Sequence, residues 1–481
     1  MEQCCSTNKT QPHFVIIGGG SAAFSAALNA SALGANVTII NTGLPIGGTC
    51  VNVGCVPSKT LIRGAETVHR ASHSNFAGIE TQSRVKSFKE VIDQKRHLVE
   101  HLRQAKYLDT VSNNEKIKII EGRARLINPK TVEVNNQKLS ADYVLIATGT
   151  QPHIPPIKGL KETGYLTNIS AFELEELPKS MIVLGGRYIA LECAQMFARM
   201  GTQVTILQRS SRILPSETED LTSMLTEYLS QEGIKVVTNV QIKETFKKND
   251  LSMIEADVNG HPMTFSAEKL LVATGTMPNS KRMGLKKLGI ERDEQGHIKV
   301  DQTLSTNVKG IYAAGDVIGN PKFVYTAAYE GGLAASNALG SVKAKDYSIV
   351  PWVVFTDPQV GGVGLDEVEA KQLQIDAQAS VVPLTQVPRS IAARDTRGFI
   401  KLIRDRKTDL IIGARVLAPE GGELLMQIAT AIASKTTSKE LAAMFYPYLT
   451  LSEGIKLAAL GFTQDVNKLS CCASNLYTEH K

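Results

Sequence analysis

The apolar residues of the chain fall twice into the same arrangement: a short apolar run, a glycine-rich turn, a stretch with helical spacing and a second apolar run. In the first copy the runs lie at 14–17 and 37–40, with an alanine-rich stretch between them. In the second copy they lie at 182–184 and 204–207, and the helical spacing extends to Met200. Apolar runs bounded by turns predict buried parallel strands, and their alternation with helices predicts two α/β domains.

Both glycine-rich turns have the spacing of a dinucleotide-binding site. In the first turn Gly18, Gly20 and Ala23 occupy the three fingerprint positions, whereas in the second Arg187 stands where the middle glycine after Gly185 is expected. Glycine lets the backbone approach a pyrophosphate, and the N-terminus of the following helix favours an anion. The side chain of Arg187 must therefore turn away from the pyrophosphate or contact it directly.

The residue at the end of each second strand bears on the choice of nucleotide. Asn41 occupies the position where an acidic residue commonly binds a ribose, and its amide can still form a hydrogen bond, without charge assistance. In the second copy Arg209 and Arg212 follow the strand, and no acidic residue is present in the segment 208–212. Arginines there suit the 2′-phosphate of NADPH, although two solvated arginines are the alternative interpretation.

The two copies also end alike, in LIATG at 145–149 and LVATG at 271–275. A short strand then ends on Asp316, whose carboxylate can hold a ribityl or ribose hydroxyl. From about residue 349 the pattern changes to strands at 351–356 and 399–403 and helices at 423–432 and 438–444, with no glycine-rich phosphate turn. This segment predicts a separate mixed α/β domain, in which we interpret the single tryptophan, Trp352, as a packing residue.

Composition narrows the class of protein. The chain has 481 residues, 43% of them hydrophobic and 21% charged, which is typical of a soluble globular protein of about three domains. The net charge of +6 is dispersed and predicts no nucleic-acid partner. The first thirteen residues are polar and the run at 14–17 is too short to span a bilayer, so we expect a cytoplasmic protein with no membrane span.

Cys50 and Cys55 form one of two notable pairs among the seven cysteines, within GGTCVNVGCVPSK. In an ideal helix they would not share a face, so pairing needs a distorted first turn, which the preceding Gly47 and Gly48 permit. A helix N-terminus also lowers the pKa of a thiol. A structural zinc site is the alternative, but no second Cys or His pair has the required spacing.

The second pair, Cys471 and Cys472, is adjacent in sequence. Neighbouring Cα atoms lie about 3.8 Å apart, whereas ordinary disulfides need about 4.4–6.8 Å, so these thiols remain available as two soft metal ligands. Incidental tail cysteines are the alternative. We interpret Cys4 and Cys5 as incidental thiols rather than metal ligands, and Cys193 as a small core residue.

Taken in order, these motifs resemble the flavoprotein pyridine nucleotide-disulfide oxidoreductase family. GGTCVNVGCVPSK matches its redox-disulfide motif nearly letter for letter, and YAAGDV matches its second flavin motif. The resemblance covers about residues 13–470 and implies two Rossmann-like domains, an α+β dimerisation domain, and a homodimer with its active sites at the subunit interface. The implied division is an N-terminal tail (1–12), an FAD domain (13–150), an NADPH domain (151–280), a return segment of the FAD domain (281–348) and a dimerisation domain (349–481).

The resemblance also implies residue roles. Cys55 would lie against the flavin, Cys50 would exchange with substrate, and Lys59 would approach the flavin and pair with Glu192. The implied FAD contacts are Gly18, Gly20, Ser21, Ala22, Ala23, Asn41, Gly43, Thr49, Lys59, Ala124, Thr148, Gly149, Asp316 and Val324. The implied NADPH contacts are Gly185, Arg187, Tyr188, Ile189, Arg209, Arg212 and Gly275.

Tyr448 indicates which branch of the family the chain resembles. Relatives that reduce organic disulfides have a His at this position, five residues before a Glu, to protonate the leaving thiol; here Glu453 is present and the His is absent. Tyrosine, with a pKa of about 10, is a poor proton shuttle at neutral pH. Together with LSCCA, RDTRGFIKL at 394–402 and Tyr188 in the second turn, this resembles the mercury-reducing branch.

That branch implies NADPH-dependent reduction of Hg(II) to Hg(0) for mercury detoxification. Hg(II), arriving as a thiol complex, would bind Cys471 and Cys472 and pass to Cys50 and Cys55 of the other subunit. Tyr188 and Tyr448 would position the ion, with simple packing as the alternative. Two other functions stay open: a disulfide reductase of the glutathione reductase or dihydrolipoamide dehydrogenase type, and a protein that binds mercury without turnover.

Overall fold

The structure is a computed structural model that describes residues 11–468. Its strands, in chain order, are β1 (His13–Ile17), β2 (Asn36–Asn41), β3 (Ile117–Glu121), β4 (Arg125–Asn128), β5 (Thr131–Val134), β6 (Gln137–Ser140), β7 (Tyr143–Ile146), β8 (Thr150–Pro152), β9 (Ser180–Leu184), β10 (Gln203–Leu207), β11 (Lys235–Val237), β12 (Val240–Lys248), β13 (Leu251–Val258), β14 (His261–Ala267), β15 (Lys269–Val272), β16 (Thr276–Pro278), β17 (Ile311–Ala313), β18 (Trp352–Val354), β19 (Gln359–Gly364), β20 (Ala377–Pro383), β21 (Phe399–Asp405) and β22 (Ile411–Ala418).

The α-helices are α1 (Ser21–Ala32), α2 (Gly48–Val53), α3 (Cys55–Ser72), α4 (Phe88–Arg103), α5 (Asp109–Ser112), α6 (Leu160–Thr163), α7 (Asn168–Ala171), α8 (Tyr188–Arg199), α9 (Glu219–Gln231), α10 (Val324–Ala338), α11 (Glu367–Gln372), α12 (Pro388–Ala392), α13 (Leu425–Ala433), α14 (Ser438–Ala443) and α15 (Glu453–Leu460). A turn of π-helix at Gln104–Leu108 joins α4 to α5. Within residues 11–468, no helix combines the length and the apolar character that crossing a bilayer requires.

The chain forms two compact units, and the first contains the described part of 1–60 with 89–154 and 275–346. Its centre is a parallel sheet in the order β17-β7-β1-β2-β3, with apolar clusters on both faces. Helices α1 and α10 pack closely together, because Gly331 has no side chain: a Cβ there would lie 2.0 Å from the carbonyl oxygen of Ala22. This contact fixes the N-terminal end of α1, which follows the first glycine turn.

The second unit contains residues 61–88, 155–274 and the described chain from 347 onward. A parallel sheet, β11-β10-β9-β15, carries the second glycine turn, and an antiparallel meander, β12-β13-β14, is inserted in the chain between β11 and β15. A further antiparallel sheet, β18-β19-β22-β21-β20, packs against α13 and α15 around its own apolar core. The predicted fold class, with two parallel nucleotide-binding sheets and a third mixed domain, is confirmed.

Some predicted boundaries were wrong. The strand predicted at 351–356 is limited to Trp352–Val354, because the chain leaves the sheet before the Asp357–Pro358 bond. The helix predicted at 423–432 divides into a 3-10 turn, Gly421–Leu424, and α13. The division follows a residue with left-handed backbone, Glu420, at φ 52°. The second-copy helix ends at Arg199, one residue before the predicted end.

Candidate active site

Cys50 and Cys55 lie on two helices, α2 and α3, that meet at Gly54. Gly54 has φ −120° and ψ −109°, and a Cβ on it would lie 2.9 Å from the carbonyl oxygen of Thr49. The distortion that brings the thiols together therefore occurs at Gly54, between the cysteines. The sequence predicts it in the first turn, at Gly47 and Gly48, but these glycines instead shape the entry into α2.

The Cys55 thiol affects the ionisation of Cys50. Both cysteines are half-buried, free thiols. Hydrogen bonding with the Cys55 side chain, together with burial and the charge of Cys55, raises the pKa of Cys50 well above its usual range, and Lys59 opposes the rise. The expectation that a helix N-terminus lowers the thiol pKa is therefore wrong for Cys50, because its neighbour outweighs the helix.

Two tyrosines that the sequence analysis did not single out lie near these thiols. Tyr107, within the π-helical turn, has its ring atoms 3.3–3.4 Å from where a Cβ on Gly47 would lie, and its hydroxyl is 3.2 Å from the Ser21 hydroxyl. Burial and, to a smaller extent, Cys55 raise the pKa of Tyr325 to about 12. A π-helical turn is frequent at functional sites, but no sequence pattern used here predicts one.

The first glycine turn makes close backbone contacts with the cysteine helix. A Cβ on Gly18, which has φ 125°, would lie 2.2 Å from the carbonyl oxygen of Ala147, and a Cβ on Gly48 would lie 2.7 Å from the Cα of Gly20. The glycines thus bring the backbone at the N-terminus of α1 next to α2. This is the arrangement that accepts the pyrophosphate of a dinucleotide.

Several other predicted FAD contacts surround this turn. Asn41 is buried, and its Nδ2 donates to the carbonyl oxygen of Leu44 at 2.9 Å, so its amide supports the loop after β2. Ser21, Ala22 and Ala23 form the first turn of α1, Val324 begins α10, Gly43 and Thr49 are exposed, and Ala124 is buried. Gly149 has φ 62° with open space where a Cβ would be.

Asp316 is not the end of a strand, as predicted: β17 ends at Ala313, and Asp316 begins a 3-10 turn, Asp316–Ile318, after Gly315 with φ 77°. Its carboxylate accepts a hydrogen bond from the Thr150 hydroxyl at 3.0 Å. Burial raises the pKa of Asp316, whereas that hydrogen bond and the nearby Lys322 lower it. Thr148, at the end of the first copy, uses its hydroxyl to donate to the Asn279 carbonyl at 2.7 Å. A carboxylate with such a restricted set of partners is suited to bind a hydroxyl of a ribityl chain.

The second glycine turn repeats the geometry of the first. A Cβ on Gly185, with φ 117°, would lie 2.4 Å from the carbonyl oxygen of Ala273. Arg187 is the N-cap residue of α8 and is exposed, and Ile189 beside it is 39% exposed. Gly275, at the end of the second copy, has φ 109° and open space around it.

Two further arginines lie at the end of β10. Arg209 is exposed, and Arg212 donates from a guanidinium nitrogen to the carbonyl oxygen of Pro215 at 3.4 Å. Within the described residues, the Nε atom of Arg212 is buried and has no hydrogen-bond partner. An unpartnered guanidinium N–H beside a nucleotide turn fits an additional phosphate.

Tyr188 begins α8, and its ring stacks on that of Trp352, with centroids 5.8 Å apart and planes 15° from parallel. The interpretation of Trp352 as simple packing missed this contact with a site residue. Glu192, one turn further along α8, is buried and accepts a hydrogen bond from the backbone N–H of Phe355 at 3.0 Å. Lys59 belongs to the other unit, so its pairing with Glu192 stays a prediction.

Tyr448 lies in the turn before α15 and is 51% exposed, whereas Glu453, the first residue of that helix, is 8% exposed. Cys471 and Cys472, and also Cys4 and Cys5, lie outside the described residues. Their predicted roles therefore stay predictions.

Comparison with known proteins agrees with this geometry. The family model for pyridine nucleotide-disulphide oxidoreductases matches residues 12–331, and the model for the dimerisation domain of these enzymes matches residues 350–459. Together the two models cover most of the described chain.

Several curated relatives share one name. A mercuric reductase of Staphylococcus aureus is 41% identical over 95% of this chain and 84% of its own length. One from Bacillus cereus is 41% identical over 96% of this chain and 73% of its own length, and one from Streptomyces lividans is 40% identical over 95% and 98%.

Solved structures show the same architecture. The HOCl-induced flavoprotein disulfide reductase RclA from Escherichia coli superposes with a TM-score of 0.83 and 28% identity, over 93% of this chain and 99% of that one. LpdA from Mycobacterium tuberculosis superposes with a TM-score of 0.82 and 28% identity, over 94% and 100%.

Proposed function

We propose that this chain is a mercuric reductase, the name that its relatives of 40–41% identity share. The chain belongs to the pyridine nucleotide-disulphide oxidoreductase family, which uses a flavin and a pyridine nucleotide. The reaction transfers two electrons from NADPH to Hg(II), giving Hg(0), NADP⁺ and a proton. The observation that carries the proposal is the pair of free, half-buried thiols of Cys50 and Cys55 on adjoining helices, combined with Tyr448 in place of a proton-donating histidine.

The dithiol is chemically suited to mercury. Two sulfur ligands on adjacent helix ends form the kind of soft site that thiophilic metal ions prefer. Reduction of an organic disulfide needs an acid to protonate the leaving thiolate, and the chain has no histidine between His297 and His480. Reduction of a metal ion bound by thiolates has no such leaving group, so this reaction does not require a proton-donating imidazole.

FAD fits the first unit because the residues after β1 and β17 suit its pyrophosphate and its ribityl chain. Gly18 and Gly20 leave room for a pyrophosphate at the N-terminus of α1, and Asp316 offers a carboxylate for the ribityl chain. When bound, FAD supplies the two-electron chemistry that links a nicotinamide to the dithiol. The task of the cysteine pair is to hold the metal ion, and the charge of Lys59 partly offsets the rise that Cys55 and burial cause in the pKa of Cys50.

NADPH is the proposed electron donor because of the charges after β10. Arg209 and Arg212 would bind the 2′-phosphate, and the exposed guanidinium of Arg187 adds a positive charge at the N-terminus of α8. The proposed assembly is a homodimer with sites at the subunit interface, in which Cys471 and Cys472 of one subunit pass Hg(II) to the dithiol of the other. Free cysteines fit a reducing compartment, so we propose the cytoplasm.

The test is a mercury-dependent assay on the purified flavoprotein. With NADPH and Hg(II) in excess thiol, we expect steady oxidation of NADPH and release of mercury vapour. Cys50→Ala should abolish both, whereas Cys471→Ala with Cys472→Ala should leave reduction of the flavin by NADPH intact and slow turnover. Cys193→Ala is the matched control, because that cysteine is buried and lies outside the proposed site. Oxidation of NADPH without vapour release would contradict the proposal.

One alternative is supported by the structural similarity to a flavoprotein disulfide reductase. It predicts rapid NADPH oxidation with glutathione disulfide or lipoamide and no stimulation by Hg(II). Running these substrates beside Hg(II) on the same preparation separates the two activities, and binding of Hg(II) without NADPH oxidation would identify a mercury-binding protein.

A further inference from the structure

Two adjacent residues of α10, Glu330 and Gly331, contact the two places where the first unit is suited to hold FAD. Gly331 packs against the backbone of Ala22, in the first turn of α1. The carboxylate of Glu330 accepts a hydrogen bond from the backbone N–H of Gly315 at 2.6 Å, and Gly315 directly precedes Asp316. A single turn of α10 therefore contacts both the segment suited to the pyrophosphate and the segment suited to the ribityl chain.

The conformation of Gly315 is not fixed by the residue itself, because glycine adopts many backbone conformations. Here its φ is 77° and its ψ is −167°, in a region that essentially only glycine occupies. Its carbonyl oxygen accepts from the N–H of Ile318 at 2.9 Å, which closes the 3-10 turn that begins with Asp316. A Cβ on Gly315 would lie 3.4 Å from the Cβ of Ala22 and 3.5 Å from that of Ala327, so α1 and α10 enclose it. The direction of Asp316 therefore depends on how Gly315 is held.

Glu330 is well placed to hold it. The residue is 1% exposed, so water does not compete for the hydrogen bond between its carboxylate and the Gly315 N–H. Such a bond is stronger in the protein interior than in solvent, and a buried N–H that loses its acceptor is costly. The side chain of Asp316 is bound separately, by the Thr150 hydroxyl at 3.0 Å. Glu330 thus holds the main chain, and Thr150 the side chain, of one short segment.

We propose that Glu330 is a positioning residue for the flavin: its carboxylate holds the Gly315 backbone, so that the carboxylate of Asp316 keeps its place relative to the N-terminus of α1. The inference rests on the FAD site of the proposed function. Glu330 acts as a hydrogen-bond acceptor, through Gly315 and Asp316, and not as an acid or base. A purely structural role would only stabilise the unit, whereas a positioning role also retains the flavin.

Release of FAD from the holoenzyme tests this role. Glu330→Leu has no acceptor for the Gly315 N–H, so FAD should leave the protein about tenfold faster or more. Glu330→Gln keeps an acceptor oxygen, and its release rate should stay within about threefold of that of the unchanged protein. The rate is measured from the flavin absorbance that passes an ultrafiltration membrane at fixed times after dilution. If Glu330→Leu retains FAD as long as the unchanged protein does, the inference is wrong.

Asn337→Leu is the matched control, because Asn337 lies on the same helix, is also buried and also binds backbone groups. Its Nδ2 donates to the carbonyl oxygens of Thr303 and Lys343, both at 2.9 Å, two turns beyond Glu330. Both Leu variants should lower the denaturant midpoint of the holoenzyme, but only Glu330→Leu should speed the release of FAD. Equal acceleration in the two variants would refute the positioning role, because Glu330 would then act only through the stability of the unit.

A double-variant cycle tests whether Glu330 acts through Asp316. Asp316→Ala alone should also speed the release of FAD, and adding Glu330→Leu should change that rate by less than about threefold, because the carboxylate that Glu330 positions is gone. Independent effects that multiply in full would contradict the inference. If Glu330→Leu fails to fold, Glu330→Asp replaces it. This variant keeps the charge but is one methylene shorter, so it should also release FAD faster, and unchanged release would exclude the proposed role.

Hydrogen exchange and the mercury assay separate this inference from the proposed function. In the holoenzyme, the Gly315 amide should exchange about tenfold faster or more in Glu330→Leu, and within about threefold of the unchanged rate in Glu330→Gln. If FAD release and exchange respond in this way but Hg(II) does not stimulate NADPH oxidation, the role of Glu330 stands and the proposed mercury chemistry is wrong. A purified protein that holds no flavin would overturn the FAD site and this inference with it.

Discussion

Trp352 stacks on Tyr188 although the two residues lie far apart in the sequence, with ring centroids separated by 5.8 Å. Trp352 is held firmly on its own strand, because it pairs with Gly362 across β18 and β19 and a Cβ on Gly362 would lie 2.7 Å from its ring. The guanidinium of Arg415 lies 5.7 Å from the ring centroid. Tyr188, the first residue of α8 and next to the second glycine turn, therefore packs against an aromatic ring whose position is fixed by the sheet.

This stack predicts an optical signal for nucleotide binding, because Trp352 is the only tryptophan of the chain. Adding NADP⁺, which does not absorb tryptophan emission, should change the emission in a saturable way, and Tyr188→Leu should remove most of the change. Trp352→Leu should weaken NADP⁺ binding roughly two- to tenfold, because an aromatic pair contributes about 0.5–1.5 kcal/mol to fixing the ring. Tyr329→Leu, in the other unit, is the control; emission that is insensitive to NADP⁺ would contradict the prediction.

The dithiol predicts a dependence of thiol reactivity on its neighbour. In the reduced protein Cys55 raises the pKa of Cys50 through a hydrogen bond and through its charge. Cys55→Ala removes both effects and leaves Lys59, so the pH midpoint for alkylation of Cys50 should fall by at least about one unit. Mass spectrometry of the peptide that contains Cys50 measures this after timed exposure to iodoacetamide. Cys193→Ala should not move the midpoint, and a higher midpoint in Cys55→Ala would refute the assignment.

The arginines after β10 predict a preference between the two nicotinamide nucleotides. Replacing Arg209 or Arg212 by Ala should raise the Kd for NADPH roughly 10- to 100-fold, since a charge-assisted hydrogen bond contributes about 1.5–3 kcal/mol. The Kd for NADH should change by less than about threefold, because it has no 2′-phosphate. Stopped-flow measurement of flavin reduction at varied nucleotide concentration gives both constants. Equal losses for the two nucleotides would show that these side chains support the fold instead.

Local patterns in the sequence predict the two nucleotide turns and their strands well. Each turn needs a glycine where the backbone has a positive φ, as at Gly18 with φ 125°, and this glycine directly follows a short apolar strand. The break at Gly54 was misplaced, since only the close approach of the Thr49 carbonyl shows which glycine is required. The contact between Trp352 and Tyr188 depends on how β18 packs beside α8. Pairings of that kind, between residues distant in sequence, leave no periodic signal along the chain.

A last prediction concerns His69, on α3, because burial, aided by the charge of Arg199, lowers its pKa to about 4. Its ring stacks on that of His73 with centroids 4.3 Å apart, and its Nε2 atom lies 3.9 Å from a carboxylate oxygen of Glu232. In the unfolded chain a histidine has a pKa of about 6.5, so between pH 6.5 and 4 the unfolded state binds more protons than the folded state.

The free energy of unfolding should therefore fall as the pH is lowered through this window. The full shift would correspond to about 3 kcal/mol, and because the side chain is 19% exposed we expect about 1–2 kcal/mol after solvent screening. His69→Gln, which cannot take up a proton, should show a correspondingly smaller loss between pH 7 and pH 4.5 in denaturant titrations of the holoenzyme. His261→Gln is the control, because that histidine is exposed. Equal losses in all three proteins would mean that other groups cause the acid sensitivity and that His69 titrates normally.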